Sequence, residues 1–283
     1  MPAGVSPISD VADRIMDVLG HVPAALLSDF DGTLSPIAPT PEAAHLHPDL
    51  VHVLPELAGK APLFGIITGR AVDDARQKVA VDNIVYVGNH GLEWFDRGEY
   101  RAHPAGLAAE QAIVDALEAI DQDLRALNRD LTGMVFENKR LSASIHYRLV
   151  PDPETFDAPL AVITQRRADE FGLRMTTGKM MVEVRPAARV SKGSAVEEIV
   201  TSHGLCGAVF LGDDVTDIDA FLAITRLRES GALEAGLSVG VLSADANPDI
   251  AKTADVLVRN VNDVAAVFAE LAKRLPDRPT EER

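Results

Sequence analysis

Apolar residues follow two rhythms along this chain. In the first hundred residues and the last hundred, short continuous apolar runs alternate with segments of helical spacing. The runs Ala24–Leu27, Leu63–Ile67, Ile84–Val87, Ala208–Leu211 and Leu237–Leu242 read as buried strands. Between them, Val11, Ile15, Val18 and Leu19 mark a helix over 9–20, and Val51, Leu54 and Leu57 one that ends at Gly59. Another helix opens with Asp73 and Asp74, as its dipole favours. Val196, Ile199 and Val200 mark a helix that ends at Gly204; one more runs through Phe221 and Ile224, and a last one over 264–275. Residues 254–258 read as an edge strand, and Leu92–Tyr100 as a hairpin around Asp96-Arg97-Gly98. Strand–helix–strand alternation of this kind calls for a parallel sheet with right-handed crossovers.

The middle of the chain has a different rhythm. Leu107, Ile113, Leu117, Ile120, Leu124 and Leu127 mark one long helix over 105–128. Residues 134–139 and 141–150 alternate like strands, 153–171 reads as a helix, and 173–185 as a hairpin turning at Thr176-Thr177-Gly178. Strands in runs are α+β in character. The expected fold is therefore α/β: a Rossmann-like parallel-sheet core from residues 1–102 and 186–283, with an α+β domain inserted at 103–185.

Composition narrows the partners. The 283 residues are 47% hydrophobic and 25% charged, an ordinary globular balance. With 27 Lys+Arg against 43 Asp+Glu, the formal charge is −16. Such a chain repels nucleic acid and anionic membranes, and it needs a local cluster of cations, or a metal, to hold an anionic substrate. The one cysteine, Cys206, excludes an internal disulfide and a cysteine zinc cluster. No apolar run approaches the ~18 residues of a membrane span. A cytoplasmic monomer without nucleic-acid or membrane partners is expected.

Candidate chemistry gathers where strands break. Asp29 and Asp31 follow the first run in Ser28-Asp29-Phe30-Asp31-Gly32-Thr33-Leu34. Two carboxylates that close resist joint ionisation unless a cation joins them. Thr68-Gly69-Arg70, Gly88-Asn89-His90-Gly91 and Gly212-Asp213-Asp214-Val215-Thr216-Asp217 end later runs, and Ser191-Lys192-Gly193 opens a helix. Each has a plain alternative as a turn, a cap or a solvated cation. Together, at the carboxyl ends of one parallel sheet, they point to phosphate chemistry. A carboxylate can attack phosphorus, a second can move a proton, and hydroxyl and ammonium groups can hold phosphoryl oxygens. A hard-oxygen cation such as Mg2+ suits the acids. His45, His47 and His52 lie near prolines and read as solvated loop and helix-start residues.

Asp-Phe-Asp-Gly-Thr, Ile-Thr-Gly-Arg, Ser-Lys-Gly and Gly-Asp-Asp-x-Thr-Asp resemble, in order, the four motifs of haloacid-dehalogenase-like (HAD) phosphohydrolases. The resemblance implies that Asp29 is the nucleophile, Asp31 the general acid and base, and Thr68 and Lys192 the phosphoryl contacts. It implies Mg2+ on Asp29, the Asp31 backbone carbonyl and Asp213, with Asp214 and Asp217 nearby. It makes the insert a C2-type cap that chooses the substrate.

Three further stretches are similar to trehalose-6-phosphate phosphatases: Gly88–Glu93, Glu137-Asn138-Lys139 with Ser144–Arg148, and Gly178-Lys179 through Glu183–Pro186. The resemblance spans about residues 24–260. It implies a sugar-phosphate substrate contacted by Arg70, Asn89, His90, Glu137, Lys139, Arg148, Lys179 and Glu183. Strand period independently sets Glu137 and Lys139 on one side, and Lys179 and Glu183 on one side. Where the family usually has Glu after Thr-Asp, this chain has Ile218. A phosphatase for another sugar phosphate (sucrose 6-phosphate or mannosyl-3-phosphoglycerate), a phosphomutase and a non-catalytic sugar-phosphate-binding regulator are the alternatives.

Overall fold

The structure is a computed structural model that describes residues 4–242 and 247–278. It divides into two compact units. One comprises Met1–Ile37, Ala44–Tyr100 and Val190–Arg283; the other comprises Ala38–Ala43 and Arg101–Arg189. The short segment Ala38–Ala43 thus joins the second unit, outside the expected 103–185. A six-residue loop carries no periodicity that would assign it.

In chain order the elements are α1 (Ile8–Leu19), β1 (Ala24–Ser28), α2 (Leu50–Lys60), β2 (Phe64–Ile67), α3 (Val72–Val79), β3 (Val85–Gly88), β4 (Glu93–Asp96) and β5 (Glu99–Ala102). Then come α4 (Pro104–Ala126), β6 (Val135–Asn138), β7 (Ala143–His146), α5 (Asp157–Glu170), β8 (Leu173–Gly178) and β9 (Met181–Pro186). The chain continues with α6 (Lys192–His203), β10 (Gly207–Gly212), α7 (Val215–Glu229), β11 (Ala235–Val241), α8 (Ile250–Thr253), β12 (Val256–Val258) and α9 (Val261–Arg274).

In the first unit the sheet order is β12-β11-β10-β1-β2-β3-β4-β5. The strands from β12 to β3 pair in parallel, and β4 runs antiparallel to β3. The apolar runs read from the sequence are these strands, buried along their whole length in β1, β2, β3 and β10. Their inner residues, including Leu27, Val87 and Phe210, pack with Val196, Ile199, Phe221 and Ile224 of α6 and α7. Ile218 packs against this apolar cluster, which accounts for an aliphatic residue there. The chain leaves β1 for β2 on one side, while β10 lies on the other. Strand order therefore reverses at β1, the place where open α/β sheets bind ligands.

The second unit is an antiparallel sheet of order β6-β7-β9-β8. Alternate residues Ala143, Ile145, Val182 and Val184 pack with Ile113, Ile120 and Leu124 of α4 and Leu160 of α5. The other residues of the same strands must face away from that core. Across this second face runs the row Glu137, Ser144, Glu183, Thr176, one residue from each strand. The hairpin closes one step later than expected. β8 continues through Thr176, Thr177 and Gly178, and the turn falls on Lys179-Met180, with Met180 at φ 59°. Two β-branched threonines favour a pleated strand over a turn. β7 is also shorter than the expected 141–150, and α8 was not foreseen.

Candidate active site

Register brings the motif residues together. Ser28 pairs with Leu211 on one side and with Ile66 on the other. One step on, the Asp29 N–H donates to the Leu211 carbonyl at 2.9 Å, extending the ladder beyond β1. Asp213 follows the end of β10, and Thr68 follows β2 with its N–H on the Val87 carbonyl at 2.9 Å.

Lys192 reaches this point because α6 starts there. Ser191 caps the helix and exchanges hydrogen bonds with Ser194. The buried Lys192 ammonium lies 2.8 Å from Asp29 Oδ1 and 2.7 Å from Asp217 Oδ1. Asp217 Oδ2 accepts the backbone N–H groups of Asp213 and Asp214, each at 2.9 Å. Burial pushes the Asp29 carboxyl well above the usual carboxylate range; Lys192 opposes this, while Asp217, Asp213 and Asp31 add to it. Burial alone would lower the Lys192 value, but Asp217 and Asp29 outweigh it and raise the value above an ordinary lysine's.

Carboxylate oxygens of Asp29, Asp213 and Asp217 lie within 4.8 Å of one another. Such hard donors fit Mg2+. Both oxygens of Asp217 are already engaged with Lys192 and with the Asp213 and Asp214 backbone, so Asp29 and Asp213 are the residues that could hold such an ion directly. Asp214, expected among the ligands, stands outside this cluster as the N-cap residue of α7. The sequence reading gave Asp217 only a supporting place; its position three residues after the cap is the signal for its inward role. Gly32 leaves the room the cluster needs. Its φ is 82°, and a Cβ there would come within 2.2 Å of Asp213 Oδ2. Gly32→Ala is expected to cost about 1–3 kcal/mol of stability and to weaken Mg2+ binding, as denaturant unfolding and calorimetric titration would read.

Two expected substrate residues are committed elsewhere. The Arg70 guanidinium grips Asp31, with Nε on Oδ2 at 2.6 Å and a second nitrogen on Oδ1 at 2.8 Å. Its remaining nitrogen donates to Asp74 at 2.6 Å. A bidentate fork of this kind fixes the orientation of the carboxylate it holds. Asn89 is fully buried, and its side-chain nitrogen donates to Glu93 at 2.6 Å. His90 beside it is only half-buried, at φ 57°.

In the second unit, the Glu183 carboxylate receives Lys139 at 2.5 Å and Ser142 Oγ at 3.0 Å, with Arg185 3.9 Å away. Glu137 pairs with His146 at 2.9 Å. The structure thus joins Lys139 to Glu183 and sets Glu137 in the same row. Lys139 lies just beyond the end of β6, and Lys179 sits at the hairpin tip, where its carbonyl accepts from Arg148 at 3.0 Å. Lys179 and Glu183 therefore do not share a strand face.

Comparison with known proteins bears on the family and the fold. Residues 27–257 match the family described as trehalose-phosphatase. An uncharacterised glycosyl hydrolase of Mycobacterium tuberculosis is 39% identical over 233 residues, covering 78% of this chain and 17% of that protein. A trehalose-phosphate phosphatase of the same species is 34% identical over 203 residues, covering 70% of this chain and 50% of that protein. This chain thus spans half or less of either relative's length. The C-terminal domain of a Candida albicans trehalose-6-phosphate phosphatase shares the fold, with a TM-score of 0.76 at 20% identity, covering 96% of this chain and 98% of that one. With the family matched over most of its length and the HAD-like fold shared, the chain belongs to the trehalose-phosphatase family.

Proposed function

We propose that this chain is a Mg2+-dependent phosphatase that hydrolyses trehalose 6-phosphate through an aspartyl-phosphate on Asp29. The observation that carries the reading is the buried cluster of Asp29, Lys192, Asp213 and Asp217 at the point where strand order reverses. Family membership supports trehalose 6-phosphate as the substrate.

In this reading an Asp29 carboxylate oxygen attacks phosphorus while the bond to the sugar oxygen breaks. Asp31, oriented by Arg70, gives its proton to the departing oxygen, then takes one from the water that releases phosphate from Asp29. Thr68 and Lys192 hold phosphoryl oxygens as charge develops. Mg2+ on Asp29, Asp213 and the Asp31 carbonyl would screen the carboxylate from the phosphate and stabilise that charge. Glu137, Lys139 and Glu183 of the second unit read the sugar, the acids accepting from hydroxyls and the lysine donating.

The test is phosphate release from trehalose 6-phosphate with Mg2+ present. Stoichiometric release to water supports the reading; transfer to a second sugar hydroxyl would make the protein a mutase. The sugar assignment has its own check. Glu183→Gln is expected to lower kcat/KM for trehalose 6-phosphate by about 10²-fold, the worth of a charged hydrogen bond, and to leave a small phosphate ester nearly unaffected. Equal losses on both substrates would remove Glu183 from sugar recognition.

A further inference from the structure

Glu93 lies outside the catalytic cluster, yet it is a buried carboxylate with a full set of donors. Its Oε1 accepts the backbone N–H of Val72 at 2.9 Å and the Asn89 side-chain nitrogen at 2.6 Å. Its Oε2 accepts the Tyr100 hydroxyl at 2.9 Å. The two residues on Oε1 flank one segment. Val72 opens α3, two residues after Arg70. Asn89 donates its own N–H to the Arg70 carbonyl at 2.7 Å. The Arg70 N–H points back to Thr68 Oγ1 at 3.3 Å, and the His90 N–H reaches the Thr68 carbonyl at 2.9 Å. Glu93 therefore clasps the loop 68–72 to the loop 89–91.

That second loop needs the support. Asn89 and His90 are both left-handed, at φ 47° and 57°. Such backbone persists only where its surroundings enforce it. What the clasped segment presents is the Arg70 fork, holding both oxygens of Asp31. A shift of Arg70 would carry the Asp31 carboxylate with it.

We propose that Glu93 is a positioning residue for proton transfer: through Val72 and Asn89 it fixes Arg70, and through Arg70 it aims Asp31 at the leaving oxygen. The assignment rests on the phosphatase reading above. It differs from a merely structural role in one respect. In the first step, phosphoryl transfer to Asp29, only an ester whose leaving oxygen needs a proton depends on where Asp31 points; the later release of phosphate from Asp29 uses Asp31 whatever the ester.

The experiment compares an alkyl phosphate, whose alkoxide must be protonated, with an activated aryl phosphate, whose leaving group departs without a proton. Neither carries a disaccharide, so sugar recognition does not enter. The readout is the single-turnover rate of leaving-group release, which precedes the release of phosphate from Asp29. Glu93→Ala is expected to cut that rate on the alkyl ester on the order of 10²-fold, the cost of misplacing a general acid, with the half-saturating ester concentration nearly constant. Release of the aryl leaving group in the first turnover is expected to change by less than about threefold, and Glu93→Gln, which keeps an acceptor oxygen, to restore most of the alkyl rate. In an Asp31→Asn background, Glu93→Ala is expected to add no further loss. Asn89→Gly suits the left-handed backbone and removes the side-chain bond to Glu93; the same selective loss is expected, should the Glu93 variant fail to fold. Equal losses on both esters, an undiminished loss in the Asp31→Asn background, or no loss at all would overturn the assignment. If the parent releases phosphate from neither ester nor from trehalose 6-phosphate, the phosphatase reading falls and takes this one with it. A parent that accepts only trehalose 6-phosphate, itself an alkyl phosphate, is read on that ester with and without the Asp31→Asn background. A parent that works on both, with variants that do not discriminate, overturns the Glu93 assignment alone.

Discussion

Asp29→Asn is expected to lower kcat on any phosphate ester by a factor on the order of 10⁴ or more, while the protein remains folded. The amide is close in shape to the carboxylate, so its oxygen still meets Lys192 at the position where Oδ1 now lies, 2.8 Å away. On the proposed mechanism it loses the charge that attacks phosphorus and one of the two carboxylates that would hold Mg2+. The measurement is steady-state phosphate release, with circular dichroism as the check on folding. Activity within tenfold of the parent would mean that Asp29 is not the nucleophile, whatever its neighbours.

Lys192→Met carries the largest expected effect on stability. Lys192 is the cation shared by Asp29 and Asp217, and all three side chains are buried. Removing one member of such a group leaves buried charge uncompensated, which costs about 3–5 kcal/mol. The sign with pH follows from the observed shifts. In the parent, the folded-state value of Lys192 is raised, so its contribution is complete below the unfolded lysine value, about 10.4, and is lost as pH rises through the folded value. In the variant, the Asp29 carboxyl, already raised by burial, loses the one influence that lowers it. The unfolded chain then releases its proton first as pH rises past about 3.9. The deficit is therefore greatest at neutral pH and shrinks toward pH 4. Urea unfolding at pH 4 and pH 7 reads this directly; a deficit that is equal at the two pH values would contradict the charge argument. On the proposed mechanism a phosphoryl contact is lost as well, so kcat/KM is expected to fall about 10²- to 10³-fold.

The core strands and their parallel character were legible because buried parallel strands are written as unbroken apolar runs, and Ala24–Leu27 and Ala208–Leu211 are such runs; their order across the sheet was not. The ends of those runs then located Asp29, Thr68 and Asp213 without any structure. Side-chain direction was not legible. Nothing in Thr68-Gly69-Arg70 says that the guanidinium turns to Asp31 instead of outward, because that choice depends on a residue 39 positions away. Asn89 reads as a substrate contact in the sequence; in the fold its side chain is buried and turned to Glu93, four residues on, where β4 folds back along β3. The hairpin at Lys179-Met180 was misplaced because Thr-Thr-Gly reads as turn chemistry, whereas Met180 at φ 59° gives no local sign of its conformation. The departure at Ile218 is the opposite case: an aliphatic residue in an acidic motif reads as an anomaly until its contact with the apolar cluster is seen.

On the proposed function, the trehalose-phosphatase fold of this chain serves trehalose 6-phosphate itself. The most direct measurement is the ratio of kcat/KM for trehalose 6-phosphate to that for glucose 6-phosphate, on the purified chain with Mg2+. Both esters present the same primary phosphate to Asp29 and Lys192, and they differ in the second sugar ring. A ratio of about 10² or more, the worth of one or two well-placed hydrogen bonds to charged groups, is the result this account expects. A ratio near one would contradict it.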